Sequence, residues 1–280
     1  MATGPKKPKV EAVSGLQSPL GVAISAQDRA TMDMVREAIA TKRARLAWQP
    51  VVLARDPSRI AFHEGLIRIL DHQNRVIPAR DFMGAVEEHE IGRQIDCLAL
   101  EIGLNTLARH PGLRISLNMS ARSIGYPRWM RVLKRGLAAS PTIGERLILE
   151  ITESSAMLVP ELVMSFMEEL QREGIAFAMD DFGSGYTAIR FFKDFCFDIL
   201  KIDGQFIRNI HADPDNAALV AALMSIGRHF HMFTVAEAVE TAEEARVLQA
   251  LGVDCLQGYL FGAPSLKADF TTQAPLRKAG

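Results

Sequence analysis

The chain has 280 residues, of which 48% are hydrophobic, so it is long enough to bury a large core within one α/β barrel. Its 32 Lys and Arg residues nearly balance its 33 Asp and Glu residues, so bulk charge gives no reason to expect binding to DNA, RNA or a membrane surface. Three widely spaced cysteines, with no signal sequence and no apolar run of transmembrane length, predict a cytoplasmic protein with reduced thiols.

Both ends of the chain are predicted to be tails. The first residues are rich in Gly, Pro, Ser and Lys and have little apolar periodicity. We therefore predict a flexible tail over residues 1–27, one domain over residues 28–268 and a second tail over residues 269–280. The KKPK sequence near the start fits a solvated tail better than an anion-binding site.

From residue 28 onward, short apolar runs alternate with amphipathic stretches. Eight runs are typical of β-strands: residues 45–52, 60–70, 113–120, 146–152, 175–180, 197–203, 231–237 and 253–258. Helical patterns occupy residues 79–109 with a break near Ile91, then 127–140, 161–174, 186–195, 214–229 and 241–252. Such strand–helix units predict parallel strands with right-handed crossovers, and their number favours a single closed (β/α)8 TIM-like barrel over an open sheet.

Seven of the predicted strands carry a polar side chain within or at the end of the apolar run. These residues are Glu64, Asn118, Glu150, the pair Asp180 and Asp181, Lys201, Glu237 and Gln257. In a barrel the carboxyl ends of the strands meet on one face, where catalytic groups come from several strands. Each residue has a separate structural explanation, such as helix capping by Asp181, but one shared site explains all of them. A carboxylate within LILEIT, at Glu150, is the hardest to explain otherwise, because a buried carboxylate must be paired or bind a cation.

The chemistry of this set indicates divalent cations. Carboxylates with an amide oxygen form a hard ligand set that suits Mg²⁺ or Mn²⁺ rather than a soft transition metal. The adjacent carboxylates of Asp180 and Asp181 suit two ions, as used for in-line displacement at phosphorus. Lys201 would orient the attacking water or stabilise the anion. Arg68 falls on the same strand face as Glu64 and could hold a phosphate.

Seven segments together resemble the EAL domain family, the phosphodiesterases that hydrolyse bacterial cyclic di-GMP. They are HEGLIR, SLNMS, LEITES, MDDFGSGY, DILKID, AEAVET and LQGYLFGAP, in family order over about residues 30–265. The resemblance implies hydrolysis of one 3′–5′ phosphodiester bond to give linear pGpG, with two Mg²⁺ or Mn²⁺ ions in the site. It also implies a homodimer that forms through the region after the strand carrying the Asp pair.

The resemblance assigns a role to each matched residue. It implies metal ligands at Glu64, Asn118, Glu150, Asp180, Asp181 and Glu237, with Lys201 near the nucleophilic water. It implies substrate contacts at Gln49, Leu66, Arg68 and Gln257, and support of the site and its loop by Glu153 and Glu240. The set expected to take part in catalysis is Glu64, Asp180, Asp181, Lys201 and Glu237.

Three positions depart from the family pattern without removing a ligand. Gly65 replaces an alanine, Ala238 replaces a glycine, and Ser184 replaces a threonine. Ala238 would be strained if its position requires a positive φ. Two histidine features, His63 and the HFH sequence that ends at His231, are interpreted as structural rather than metal-binding.

Two alternatives to an active phosphodiesterase remain open at this stage. The first is a receptor that binds cyclic di-GMP without cleaving it and signals through a partner. The second ignores the resemblance and makes the chain a metal-dependent barrel lyase or aldolase for a phosphorylated sugar. The absence of a glycine-rich phosphate loop after the late strands argues against the second alternative.

Overall fold

A computed structural model describes residues 19–184, 193–268 and 270, and its strands close into a barrel. The strands are β1 (Ala44–Leu53), β2 (Asp56–Leu70), β3 (Val76–Pro78), β4 (Ile115–Asn118), β5 (Leu147–Thr152), β6 (Ala176–Phe182), β7 (Ile199–Ile202), β8 (Phe233–Ala236) and β9 (Cys255–Gln257). They follow the order β1-β9-β8-β7-β6-β5-β4-β2-β3, and pairing of β1 with β2 closes the ring. The short β3 only extends the edge of β2. The predicted TIM-like barrel of eight strands is therefore confirmed.

One strand runs against the others, which corrects the expectation of parallel strands throughout. β1 pairs antiparallel with β2 and, on its other side, antiparallel with β9. The remaining barrel neighbours are parallel. The reversal follows from the connection, because Leu53 pairs with Asp56 across a tight turn, and a hairpin can only join antiparallel strands.

The helices surround the barrel, as the sequence periodicity predicts. They are α1 (Pro19–Ala40), α2 (Met83–Val86), α3 (Glu90–Arg109), α4 (Pro127–Leu137), α5 (Glu153–Leu158), α6 (Pro160–Gln171), α7 (Gly204–Ile207), α8 (Pro214–His229) and α9 (Ala242–Leu251). The break predicted near Ile91 lies a few residues earlier, between Val86 and Glu90. Most of the helix predicted over 186–195 lies outside the described residues.

The first helix begins inside the segment predicted to be a tail. α1 starts at Pro19, and its residues Val35 and Ala38 are fully buried against Ile69, Phe82 and other apolar side chains. The predicted boundary at residue 27 therefore lies within α1. Residues 1–18 and 271–280 lie outside the described part. No described helix is long and apolar enough to cross a membrane.

The barrel interior is filled by one apolar layer below the predicted site. Side chains from seven strands pack together there: Val51, Leu53, Ala61, Phe62, Ile148, Ala178, Ile199, Val235 and Cys255. Because strand side chains alternate between faces, the residues two positions further along β2, β5, β6, β7 and β9 also point inward. The sheet geometry therefore places a polar layer directly on top of an apolar one.

A segment after β9 covers the outside of the barrel beside β1. Ser265 forms an isolated bridge with Trp48, and the ring of Phe270 lies 5.6 Å from Trp48 and 5.3 Å from His63. Burial lowers the pKa of His63 to about 4, so this histidine is neutral and structural. β1 and β2 are joined by a tight turn, so no helix lies between them in the sequence. The segment that contains Ser265 and Phe270 covers the outer face of β1 instead.

Candidate active site

The structure brings the predicted polar residues together at one end of the barrel. Glu64 lies on β2, Glu150 on β5 and Lys201 on β7, and all three side chains are buried. Asn118 ends β4, Gln257 ends β9 and Glu237 follows β8 directly. These side chains come from strands far apart in sequence and meet because the strands converge.

The ammonium group of Lys201 is the centre of the cluster. Its Nζ lies 2.7 Å from Glu150 Oε2, 2.8 Å from Glu237 Oε1 and 2.9 Å from Asp180 Oδ1. Glu64 Oε2 is slightly further away, at 3.5 Å. Lys201 is 1% exposed, so these carboxylates replace water as its surroundings. One lysine charge cannot neutralise this many carboxylates, which leaves the cluster with an excess of negative charge.

Amide groups fix the carboxylate of Glu64 from both sides. Asn118 Nδ2 donates a hydrogen bond of 2.8 Å to Oε1, and Gln257 Nε2 donates one of 2.5 Å to Oε2. The same Gln257 nitrogen lies 3.2 Å from Gln49 Oε1, and Gln49 in turn donates to the carbonyl of Gly262. Glu64 is therefore held in one orientation by residues from β4, β9 and β1.

The pKa values reflect a conflict between burial and charge. Burial raises the pKa of Glu237 to about 8 and that of Asp181 to about 6, with help from the nearby Asp180 carboxylate. Burial and the charge of Glu64 likewise raise the pKa of Glu150 well above its usual value. Without another cation, part of the cluster is therefore protonated near neutral pH.

Glu64 and Lys201 shift in the direction that keeps both charged. Burial alone would raise the pKa of Glu64, but the charge of Lys201 and the donors on Gln257 lower it. Burial alone would lower the pKa of Lys201, but Asp180 and the other carboxylates raise it well above its usual value. These two residues therefore form an ion pair at the base of the site.

The donor set fits divalent cations. Asp180, Asp181 and Glu237 each offer a carboxylate oxygen, and these oxygens lie within 4.8 Å of one another. Glu150 Oε1 is buried without a hydrogen-bond partner among the described residues, so this oxygen is available to a cation. Hard oxygen ligands of this kind suit Mg²⁺ or Mn²⁺.

The loop after β6 is shaped by its backbone. Asp181 has φ of +54° and Gly183 has φ of +92°, so the chain turns sharply as soon as the carboxylate pair has been placed. Glu153, which is 1% exposed, accepts a 2.9 Å hydrogen bond from the Gly183 N–H through Oε2. Ser184 folds back onto the carbonyl of Asp181 with a 2.7 Å hydrogen bond. Residues 185–192, which come next in the chain, lie outside the described part.

A cleft of about 310 Å³ opens above the cluster. It is lined by Gln49, Glu64, Leu66, Arg208, Glu237, Ala238, Glu240, Gln257, Gly258 and Tyr259. Arg68 is not among the lining residues; it is half-buried and donates to its own neighbour, the carbonyl of Ile67, at 2.9 Å. The side chain of Glu240 is exposed at the rim and forms no hydrogen bond or ion pair with a described residue.

Four of the lining residues were not predicted as site residues: Ala238, Gly258, Arg208 and Tyr259. Arg208 follows α7, and Tyr259 follows β9 with 61% of its surface exposed. Both lie in connections at the carboxyl ends of strands, which is where a barrel presents its binding groups. Their position in the loops, rather than any periodicity, is the signal that could have identified them.

Comparison with known proteins agrees with this geometry. The profile of the EAL domain family matches residues 32–264. The chain belongs to the EAL domain family. The cyclic di-GMP phosphodiesterase PdeF of Escherichia coli is 31% identical over 255 residues, which are 89% of this chain and 34% of PdeF. The chain thus spans about a third of the length of this curated relative.

Solved structures of EAL domains share the fold. The phosphodiesterase PaMucR in complex with c-di-GMP is 30% identical, with a TM-score of 0.77 over 84% of this chain and 97% of that one. The EAL domain of FimX from Pseudomonas aeruginosa, bound to c-di-GMP, has a TM-score of 0.79 over 87% of this chain and 99% of that one. At 23% identity, the FimX domain supports the fold alone.

The two main departures from the EAL pattern have different surroundings. Gly65 faces away from the cluster, and a Cβ placed there would lie 2.7 Å from Leu117 Cδ2 and 2.9 Å from Trp48. The side chains of Leu117 and Trp48 therefore leave no space for a methyl group at this position. Ala238 has φ of +51°, so the alanine at this position does adopt the strained left-handed conformation. Its Cβ lies over Gly204.

The histidines lie apart from the metal-type cluster. Within the described part of the chain, the only group of acidic, histidine or cysteine side chains close enough to share an ion is Asp180, Asp181 and Glu237. The ring of His229 packs edge-on against Phe230 at 4.9 Å, and His231 is exposed at the turn before β8. His229 therefore packs and His231 faces solvent, and the structural role of the HFH sequence stays a prediction.

Proposed function

We propose that this EAL domain hydrolyses cyclic di-GMP to linear pGpG with Mg²⁺ or Mn²⁺, using two ions. The observation that carries the proposal is the buried cluster around Lys201, in which each predicted ligand position is occupied by a residue that can bind a hard cation. The relative PdeF, named as a cyclic di-GMP phosphodiesterase, supports the choice of substrate. The neighbour PaMucR, solved with c-di-GMP, supports it as well.

The proposed roles follow from position. Glu64, Asn118, Glu150, Asp180, Asp181 and Glu237 would hold the ions. When bound, the ions would lower the pKa of a water molecule and neutralise charge that develops on the phosphoryl oxygens. Lys201 would then direct its N–H groups toward the attacking water or the phosphate, since its ammonium group already lies among the ligands.

Residues around the cluster would bind and orient the substrate. Gln257 and Gln49 present amides beside Glu64, and Leu66 supplies an apolar wall of the same cleft. Arg68 would hold a phosphate from the β2 side. Glu153 would keep the loop after Asp181 in place through the Gly183 N–H. Glu240 would support the rim of the site.

The test is a turnover assay that separates hydrolysis from binding. Purified protein is incubated with cyclic di-GMP and Mg²⁺, Mn²⁺, Ca²⁺ or a chelator, and pGpG is quantified by chromatography. We expect turnover with Mg²⁺ or Mn²⁺ and its loss in Glu64→Gln, while Glu161→Gln, an exposed acid on α6, serves as the matched control and keeps full activity. Tight binding without turnover in metal-replete buffer would instead support the receptor alternative.

We also propose that the chain acts in the cytoplasm as a homodimer and does not bind nucleic acid polymers. The dimer would form near the connection after β6, part of which lies outside the described residues. Sedimentation at several protein concentrations, with and without cyclic di-GMP, tests the oligomeric state. A monomer at all concentrations would contradict it.

A further inference from the structure

We infer that Arg208 recognises a guanine base of the substrate through the O6 and N7 edge. This inference rests on the proposed function and adds a specificity-determining residue to it. Arg208 is the only cationic side chain among the described residues that line the cleft, which otherwise presents carboxylates, amides and an aromatic ring.

The guanidinium group of Arg208 is available to a ligand. Its side chain is exposed, and it forms no ion pair or hydrogen bond with any described residue, although the carboxylates of Glu237 and Glu240 line the same cleft. Lys201, by contrast, is buried and paired with carboxylates at the floor of the site. A ligand can therefore bind Arg208 without breaking an existing contact.

The backbone that carries Arg208 is held rigidly in place. The flanking residues Ile207 and Ile210 are 0% and 2% exposed in an apolar cluster. The buried carboxylate of Glu244 accepts the N–H of Asn209 at 2.9 Å through Oε1, and it accepts the N–H of Glu240 at 2.9 Å through Oε2. The side chain of Glu244 thus connects the segment that carries Arg208 to the segment that carries Glu240. The backbone position of Arg208 is therefore fixed before a ligand binds.

The depth of the cleft decides which part of the substrate Arg208 meets. The scissile phosphate must reach the carboxylate cluster at the floor, where Glu64 and Glu237 lie. In a cyclic dinucleotide the phosphates belong to the central ring and the bases project outward from it. Groups at the rim, namely Arg208 and the exposed ring of Tyr259, are therefore positioned to meet a base rather than the scissile phosphate.

The chemistry of the guanidinium group selects the edge. Guanine offers two acceptors, O6 and N7, in the geometry that the two parallel N–H groups of arginine match. Adenine replaces O6 with an amino donor, which would face the N–H groups of Arg208 unfavourably. Arg208 would therefore favour guanine over adenine, and it would be indifferent to the exocyclic amine of guanine.

The experiment compares three cyclic dinucleotides in three variants. Cyclic di-GMP, cyclic di-IMP, which keeps O6 and N7 but lacks the amine, and cyclic di-AMP are assayed for kcat/KM and for equilibrium binding. The variants are Arg208→Met, Arg208→Lys and the matched control Arg135→Met, which removes an exposed arginine from α4. Circular dichroism confirms that each variant is folded.

We expect Arg208→Met to lower the affinity for cyclic di-GMP and cyclic di-IMP by about tenfold or more and to leave cyclic di-AMP nearly unchanged. Arg208→Lys should be almost as weak, because lysine lacks the fork that binds two acceptors. A uniform loss for all three ligands that lysine restores would mean a phosphate contact and would overturn the inference. No change in Arg208→Met, with an active wild type, would overturn it as well. A wild type that neither binds nor cleaves cyclic di-GMP would overturn the proposed function together with it.

Discussion

The two layers inside the barrel are made by the same strands and behave in opposite ways. Ile148 and Glu150 lie two residues apart on β5, and Ile199 and Lys201 lie two residues apart on β7. The first member of each pair packs in the apolar layer, and the second belongs to the charged cluster. The apolar layer stabilises the fold by burial, whereas the charged layer requires its charges to be balanced. The apolar layer therefore supports a layer of buried charges that by itself lowers the stability of the fold.

Removing the central charge should have the largest effect on the charged layer. Lys201→Met leaves the carboxylates of Glu64, Glu150, Asp180 and Glu237 without their counterion. We expect loss of turnover and a decrease of about 3–5 kcal/mol in the free energy of unfolding in the presence of chelator, because a buried ion pair loses one partner. Urea denaturation measures the stability, and Mn²⁺ should restore part of it. Unchanged stability in chelator would mean that Lys201 does not balance the layer.

Truncation in the apolar layer should damage stability without the same damage to catalysis. Ile199→Ala removes buried methyl groups two residues before Lys201. We expect a loss of about 2–4 kcal/mol in the free energy of unfolding from lost burial and an unfilled cavity. The kcat of the folded fraction should fall far less than in Lys201→Met. Similar losses of kcat in the two variants would show that the layers do not act separately.

The charged layer should make the stability of the metal-free protein depend on pH. Burial raises the pKa of Glu237 to about 8 and that of Asp181 to about 6, so the folded state holds protons that the unfolded chain releases near pH 4. Burial lowers the pKa of His63 to about 4, so this residue acts in the opposite direction below about pH 6.5. The free energy of unfolding should therefore fall as the pH rises from about 6.5 to about 8, where Glu237 releases its proton.

Thermal unfolding in chelator across this range, compared with Glu237→Gln, provides the measurement. In Glu237→Gln the free energy of unfolding should no longer fall as the pH approaches 8, because glutamine has no proton to release there. Saturating Mn²⁺ should oppose the slope, since it binds the ionised carboxylates. Stability that rises with pH in chelator would contradict the predicted direction.

The smallest expected effect concerns strain at the edge of the charged layer. Ala238→Gly should increase the free energy of unfolding by up to about 1 kcal/mol, because glycine adopts a φ of +51° without a steric cost. Ala236→Gly, at a buried strand position nearby, is the matched control and should be destabilising. Differential scanning calorimetry compares the two. Equal destabilisation would show that the methyl of Ala238 contributes more through packing than it costs in strain.

Much of this architecture could be predicted from sequence because strand periodicity is local. Glu150 within an aliphatic run and Asp180 at the end of one already indicated a shared face. The reversed direction of β1 was missed, because it depends on a tight turn at Ala54 that the alternation of strands and helices does not reveal. The four carboxylates that surround Lys201 come together only when the barrel closes, and no local sequence pattern predicts these contacts. Arg208 was missed because an exposed loop side chain leaves no periodic signal.

The way the barrel closes has a consequence for the order of folding. β1 and β2 are neighbours in sequence and can pair early, but β1 also pairs with β9, and Gln257 reaches Gln49 across 208 residues. Closing so long a loop costs more entropy than forming a hairpin, so this contact should form late. The same contact carries Gln257 to the carboxylate of Glu64. A nascent chain should therefore be unable to assemble the site until β9 has been synthesised. Turnover would then be detected only in chains whose barrel has closed.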